Sequence, residues 1–386
     1  MEGKGRSPGE AFCRSFGRRI TMFVTKIQIS NFRNIAQSEI LFDRRLNVFY
    51  GANGQGKTSV LEAIYLLGTM KSFRLAKTPD LVTWNASHAL LRGWAERDGV
   101  GREIALYLGK EGRKARVDQK PVTRLADFFG NVNAVVFSPE EIAMARSGPD
   151  LRRRYLDRAI FSSDLGYLLL HHEYHRLLKQ RNAMLKRGSR DGLDIWTGQL
   201  AEAGTRLMIK RIEYLAGIEP LVRRFYRDIA GCNEEAGLAF RPHLTSPERV
   251  AAEGNGALLA LFEAHEAEEL RRGTTVVGPH RDDVDFVLNG RVIRTHGSQG
   301  QQRSFVLALK MAEIEYLERL NGAPPVLLLD DISSELDPQR NENLMTFLRE
   351  KRMQVFITTT DVSTLRLAGI ATHASFHVSR GTVTPS

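Results

Sequence analysis

The run Gly51-Ala52-Asn53-Gly54-Gln55-Gly56-Lys57-Thr58 satisfies Gly-x-x-x-x-Gly-Lys-Ser/Thr at every fixed position. That is the pattern of a loop that cradles phosphate groups. Glycines let the backbone turn tightly and aim its N–H groups inward, and a helix following the loop adds its positive N-terminal end. In such a loop Lys57 reaches the β- and γ-phosphates of ATP, and the Thr58 hydroxyl holds Mg²⁺. A second element, Val326-Leu327-Leu328-Leu329-Asp330-Asp331, ends an apolar run with two carboxylates. A buried strand delivers such carboxylates to the sheet edge where ligands bind. Asp330 then positions Mg²⁺ through its water shell, and Asp331 polarises the attacking water as general base. Alone, the first run could be a glycine-rich turn and the second a strand ending in a solvated acidic turn; together they describe a phosphate and metal site.

These residues need a strand before the loop and a helix after it. Leu46-Asn47-Val48-Phe49-Tyr50 reads as the strand, and Val60, Leu61, Ile64, Leu67 and Gly68 recur at helical spacing. From Phe23, alternation of Val24, Ile27 and Ile29 with Thr25, Gln28 and Ser30 predicts another strand, with a further one near Ile40 to Phe42. Residues 88–137 read as short strands with turns at Asp98-Gly99 and Glu111-Gly112. From Pro139 to Glu269 long charged helical patterns dominate, as in Arg152 to Arg187 and Gly198 to Ile229. Strand character returns at Thr274 to Val277 and at Asp285 to Leu288, which meets a hairpin turn at Asn289-Gly290. A helix over Gln301 to Leu320 and strands at Val326 to Leu329 and Val355 to Ile357 complete the pattern. Lys57 and Asp330 are 273 positions apart (330 minus 57), which predicts an α/β nucleotide-binding domain split by a helical insertion. The expected organisation is a disordered tail over 1–21, an ATPase lobe over 22–138 and 271–386, and a helical lobe over 139–270.

The 386 residues include 42% apolar and 26% charged side chains, enough for a core of one or two domains. No run approaches the roughly 18 apolar residues of a membrane helix, so no membrane partner is expected. With 55 Lys and Arg against 45 Asp and Glu, net charge is +10 and the pI about 9.7. That balance favours polyanions without singling out nucleic acid. Two cysteines, Cys13 and Cys232, form no disulfide framework and fit a cytoplasmic location. The first 21 residues carry five basic and two acidic side chains and no apolar core for a secretory signal; we expect a disordered tail, or an upstream start codon with Met22 as the true beginning.

Two further motifs narrow the class. Ser298-Gln299-Gly300-Gln301-Gln302 leads straight into the helix from Arg303 to Leu320, and Ser334-Glu335-Leu336-Asp337 follows the acidic pair. Separately they are an N-capped turn and an ordinary helix start before Pro338. In the order phosphate loop, insertion, Ser-Gln-Gly turn, acidic strand, Ser-Glu-Leu-Asp, they are similar to the signature and D-loop of ABC ATPases. The chain resembles one branch of that class closely. Gln28-Ile29-Ser30-Asn31-Phe32-Arg33-Asn34, Lys71-Ser72-Phe73-Arg74, Phe137-Ser138-Pro139-Glu140-Glu141, Arg152 to Asp157, Gly278-Pro279-His280-Arg281-Asp282-Asp283 and Gly297 to Arg303 are similar to the RecF family of SMC-like ABC ATPases, over roughly residues 22 to 380.

The resemblance implies an ABC-type head with an inserted helical lobe. It implies an ATP-dependent homodimer in which Ser298 contacts the γ-phosphate held by the partner subunit, making Ser298 a catalytic candidate beside Lys57 and Asp331. It further implies binding of single-stranded and gapped double-stranded DNA and help to RecR and RecO in loading RecA. Support of replication restart and SOS induction, and slow DNA-stimulated hydrolysis as a release timer, follow from it too. Departures from the ABC pattern are the Gly297-Ser298-Gln299 form of the signature, Asp331 where many members have Glu, and Thr358-Thr359-Thr360 where most have a switch histidine. From these threonines we expect only a hydrogen bond to the γ-phosphate. No glutamine stands out for the Q-loop.

Weaker signals are the pair His171 and His175, at metal-ligand spacing on a helix but without a further evident ligand, and the clusters Arg113-Lys114-Arg116, Arg152-Arg153-Arg154 and Arg223-Arg224-Arg227. Each cluster could grip DNA phosphates or be a solvated face. Rival readings are another SMC-like ABC ATPase, a transporter ATPase, a small-molecule P-loop kinase, and a DNA clamp that binds ATP without turning it over.

Overall fold

A computed structural model describes residues 22–188, 190–231, 233–331, 336–362 and 373–386. The tail, Cys13, Cys232 and the Ser334-Glu335 half of the D-loop lie outside the described residues.

The chain opens with β1 (Met22–Phe32), β2 (Ile35–Leu41) and β3 (Leu46–Tyr50), then α1 (Lys57–Thr69) and the single turn α2 (Thr78–Leu81). A meander follows: β4 (His88–Arg97), β5 (Val100–Gly109), β6 (Gly112–Val117) and β7 (Lys120–Pro121), then β8 (Ala134–Phe137). The helical stretch comprises α3 (Pro139–Met144), α4 (Pro149–Ser163), α5 (Leu165–Lys186) and α6 (Leu193–Ala230), then β9 (Ala236–Arg241), α7 (Pro247–Glu253) and α8 (Asn255–Arg272). The chain returns through β10 (Asp283–Leu288), β11 (Arg291–Val292), α9 (Ile293–His296), α10 (Gln299–Asn321), β12 (Val326–Leu329), α11 (Pro338–Glu350), β13 (Val355–Thr359), β14 (His373–Ser379) and β15 (Thr382–Pro385).

The central layer is a sheet in the order β15-β14-β3-β13-β12-β8, parallel throughout except for the edge strand β15. Its strands are apolar on both faces because both are covered. Phe49, Val136, Leu328 and Phe356 face α1 and an antiparallel sheet in the order β2-β1-β4-β5-β6-β7. Their neighbours Val48, Phe137, Leu329 and Ile357 face α10 and the long helices. The one-residue alternation therefore splits a single sheet between two cores. The fold is α/β, a mostly parallel sheet covered by an antiparallel sheet on one face and by the helical stretch on the other.

Three sequence expectations are corrected. Thr274 to Val277 is not a strand. Its amides bond to side chains, Thr275 N to Asn182 Oδ1 and Val276 N to Glu269 Oε1, both at 2.7 Å, which replaces a ladder. Within the stretch read as helical lies β9, which pairs antiparallel with β10 from Asp283↔Arg241 to Leu288↔Ala236. The strand expected near Ile40 to Phe42 runs from Ile35 to Leu41.

The Gly278 to Asp283 segment gains a structural role. Arg211 on α6, 2% exposed, pairs with Asp282 and with Asp157 on α4, each at 2.9 Å. Arg152 on α4, equally buried, holds Asp283 at 2.6 Å, and the Tyr174 hydroxyl lies 2.7 Å from His280 Nδ1. Three helices are thereby fastened to one loop.

Candidate nucleotide site

Parallel strands place their C-terminal ends on one sheet edge, and ligands bind there. The loop 51–58 follows β3, Ser138 and Glu140 follow β8, Asp330 and Asp331 follow β12, Thr360 follows β13, and Arg380 and Gly381 follow β14. Chain-distant residues thus meet by topology alone.

The loop needs its glycines. Gly51 has φ +142°, and a Cβ there would stand 2.3 Å from the Val378 carbonyl oxygen; Gly56 has φ +115°, with the Asn34 amide 2.9 Å from where a Cβ would be. These close approaches are also the loop's anchors. Asn34, in the β1–β2 turn, donates to the Gln55 carbonyl at 3.0 Å and accepts from the Ser59 hydroxyl at 3.1 Å. The Gly381 amide donates to the same Gln55 carbonyl at 2.9 Å, and the Arg380 amide to the Gln55 side-chain oxygen at 2.7 Å. Below the loop, Arg33 grips the fully buried Glu62 of α1 through two bonds of 2.8 Å.

Within this frame Lys57 folds back onto the loop, its ammonium donating to the carbonyls of Gly51 (2.7 Å) and Ala52 (2.9 Å). Burial lowers its pKa, against the opposing charges of Asp331 and Asp330. The Thr58 hydroxyl donates to Asp330 Oδ1 at 2.8 Å, and the Thr358 hydroxyl donates to the same oxygen at the same distance. Asp330 is 5% exposed. Burial pushes its carboxyl above the ordinary range, more than the hydrogen bonds from Thr358 and Thr58 lower it; Glu140 adds to the rise and Arg74 opposes it. Asp331 takes a left-handed backbone (φ 49°), tolerable for Asp, and its amide donates to the Thr358 hydroxyl at 2.9 Å.

The Thr358 hydroxyl is therefore committed to both acidic residues, and Thr359 donates to the Asp361 carbonyl at 3.0 Å. The exposed Thr360 is the remaining member of the triplet.

The residues fit ATP and Mg²⁺. Three left-handed glycines shape the loop (Gly51, Gly54, Gly56), an ammonium faces two carboxylates, and a hydroxyl meets a buried carboxylate. Ser298 belongs elsewhere. It caps α10, its hydroxyl accepting from the Gln301 amide at 3.2 Å while Gln301 Oε1 accepts from the Ser298 amide at 2.8 Å. The cavity beside it is lined by Gly300, Ser304, Asp337 and Arg340, and by no residue of the loop 51–58. Gln302 is buried, bonded to the Gly297 carbonyl at 3.0 Å and to Arg146 Nε at 2.7 Å. The structure brings Lys57, Thr58, Asp330 and Asp331 together and leaves Ser298 apart.

The motifs did not disclose the anchoring roles of Asn34 and of the β14–β15 hairpin. The available signal was the parallel arrangement, which sends whatever follows β14 to the loop. His171 and His175 face each other, Nε2 to Nε2 at 3.1 Å, with Asp157 Oδ2 3.4 Å from His171. Among the described residues no metal-binding group of His, Cys, Asp and Glu is present.

Residues 23–383 match the family model described as RecF/RecN/SMC N terminal domain. The DNA replication and repair protein RecF of Geobacter metallireducens is 91% identical over an alignment covering 94% of this chain and 100% of that protein. The solved structure of the recombination mediator protein RecF-ATPrS in the RecFOR pathway superposes with a TM-score of 0.86 at 32% identity, covering 95% of this chain and 98% of that one. The RecF-ATP structure of the same pathway gives 0.84 at 31%, covering 95% and 100%. With the phosphate loop, the acidic strand and this full-length likeness in agreement, the chain belongs to the RecF family of ABC-type P-loop ATPases within the RecF/RecN/SMC group.

Proposed function

We propose that this protein is an ATP-dependent DNA-binding ATPase of recombinational repair and replication restart, acting in the cytoplasm on gapped DNA or single-strand/double-strand junctions. The observation that carries the reading is the meeting of Lys57, Thr58, Asp330 and Asp331 at one sheet edge, in a chain whose relatives are replication and repair proteins. Gly51 to Thr58 wraps the phosphates, Thr58 and Asp330 hold Mg²⁺, and Asp331 orients water. Bound Mg²⁺ supplies positive charge to the terminal phosphates. Lys57 leaves the carbonyls of Gly51 and Ala52 for phosphate oxygens, which charge-assisted bonding favours.

Ser298 acts on the nucleotide of a partner subunit. Its separation from the loop 51–58 supports this, because a second copy must supply the loop that Ser298 serves. The ATPase lobe comprises residues 22–138 and 271–386, and the helical lobe 139–270. In this reading ATP closes a homodimer on DNA, slow DNA-stimulated hydrolysis opens it, and the clamp helps RecR and RecO load RecA and supports the SOS response.

The test is oligomeric state in solution, with and without ATP and Mg²⁺, for the native protein and Ser298→Arg. The expected result is an ATP-driven dimer that Ser298→Arg abolishes. A native protein that stays monomeric with ATP bound removes the assignment of Ser298 and reopens the kinase reading.

A further inference from the structure

A cavity of about 780 Å³ opens between the segment after α1 and the helices α4 and α5. It lies at the far end of α1 from the phosphate loop, a helix of 13 residues and so about 20 Å long at ~1.5 Å per residue. Its lining brings Lys71 and Ser72 together with Arg154, Asp157 and Phe161 of α4 and His171 of α5.

The charges on this lining do not cancel locally. Each carboxylate is already taken. Asp157 pairs with Arg211 at 2.9 Å, Asp150 with Arg153, and Asp164 with Lys210 at 3.1 Å while also capping α5. Arg158 is held by Glu141. Arg152, its neighbour in the arginine run, is buried against Asp283. Lys71 and Arg154 remain, and among the described residues neither has a carboxylate within ion-pair distance. The Lys71 ammonium lies 4.6 Å from the centroid of the Phe161 ring. The imidazole of His171 meets the same ring edge-on at 5.2 Å, and its buried Nδ1 has no hydrogen-bond partner.

Two cations without counter-ions, beside an aromatic face in a partly enclosed cavity, favour an anion that also carries a flat group. We infer that this cavity binds a phosphate-bearing ligand, its phosphate drawn to Lys71 and Arg154 and its base resting against Phe161. The same chemistry is offered by a free nucleotide and by the 5′-phosphate end of a single DNA strand. Lys71 follows the phosphate-loop helix and Arg154 belongs to α4, so occupancy joins the ATPase side of the molecule to the helical side.

The experiment uses the full chain carrying Lys57→Ala, which removes the phosphate-loop lysine. Binding of ADP and of a short 5′-phosphorylated oligothymidine is measured in that background, alone and combined with Lys71→Ala, Arg154→Ala or Lys71→Arg. The expected result is that at least one probe binds, that each alanine variant weakens it roughly tenfold by loss of one charge-assisted contact, and that Lys71→Arg retains most of the affinity. All variants should keep the parental thermal midpoint, since Lys71 and Arg154 are exposed and form no ion pair. Weakened ADP identifies a nucleotide site; weakened oligothymidine identifies a DNA-end site. Failure of both probes to bind, or affinities that the alanine variants leave unchanged, overturns the inference. The phosphate-loop reading is judged separately, by ATP binding to protein with Lys57 intact.

Discussion

At the scale of single residues, the candidate site depends on a hydroxyl that the sequence assigns to the γ-phosphate and the structure commits to Asp330 and Asp331. Thr358 donates to Asp330 Oδ1 and accepts from the Asp331 amide, so one side chain fixes Asp330 and Asp331 relative to each other. Valine has the same shape without the hydroxyl. Thr358→Val leaves a buried carboxylate one donor short and a backbone amide without its acceptor, a loss of roughly 1–3 kcal/mol by the usual penalty for unmet buried groups. The expected outcome is an earlier denaturant midpoint and slower ATP turnover, with Thr358→Ser restoring both. Unchanged turnover in Thr358→Val would show that the hydroxyl serves packing alone. Asn34 is a second residue of this kind, since it ties the phosphate loop to the β1–β2 turn through two bonds. Motifs record the groups that would touch phosphate and pass over those that hold such groups in place. The sequence therefore named Lys57, Thr58, Asp330 and Asp331 and passed over the anchors.

Among the elements, the buried arginines decide how the helices are fixed. Arg211 joins α6 to α4 through Asp157 and to the loop before β10 through Asp282, which is 1% exposed. Removing one member of a buried ion pair is more damaging than replacing both, because the other charge is left without compensation. Arg211→Met is therefore expected to destabilise the fold by about 3–5 kcal/mol. Arg211→Met combined with Asp157→Leu and Asp282→Leu should recover part of the loss, both measured by urea denaturation. A single variant as stable as the native protein would mean that the pairs contribute nothing net. The same network explains which elements were legible. Strands with strong alternation or uninterrupted apolar runs, such as β3, β4 and β12, were readable because their burial pattern is local. Thr274 to Val277 was misread as a strand because it is apolar enough to be buried, yet its amides are satisfied by Asn182 of the distant α5 and by Glu269 at the end of the preceding α8. In β9, Ala236-Gly237-Leu238-Ala239-Phe240 is poor in β-branched residues, and the pairing with β10 rather than propensity makes it extended.

For the whole molecule, acid sensitivity separates the two sides of the central sheet. His280 bonds with Tyr174 and lies in the loop that the buried arginines hold. Burial brings its pKa down to about 4, with the Thr275 carbonyl opposing and the charges of Arg281, His175 and Arg153 adding to the fall. A histidine depressed in the folded state is neutral there and contributes stability in full above its unfolded value near 6.5. That contribution is lost as pH falls through about 4. Glu141 on α3 titrates lower. Burial would raise it, but Arg158 and Lys310 outweigh burial and hold it at about 2, so its contribution is complete above about 4.5 and fades toward 2. Both groups belong to the helical side and its connection to α10, whereas the antiparallel sheet packs on the other core. Acidification from pH 6.5 to 4 should therefore loosen the helical side first, at a cost on the order of 2 kcal/mol from His280. Hydrogen exchange should show α5 and α6 opening before β1 and β4 in that window, and His280→Gln should reduce the pH dependence between 6.5 and 4, leaving the share of His175, which burial also lowers to about 4, and the lower transition of Glu141. Simultaneous opening of both sides at every pH would mean that the sheet transmits the loss and that the two cores unfold as one. In that case no part of the helical side could rearrange on its own, and the proposed clamp would have to open with each protomer moving as a rigid body.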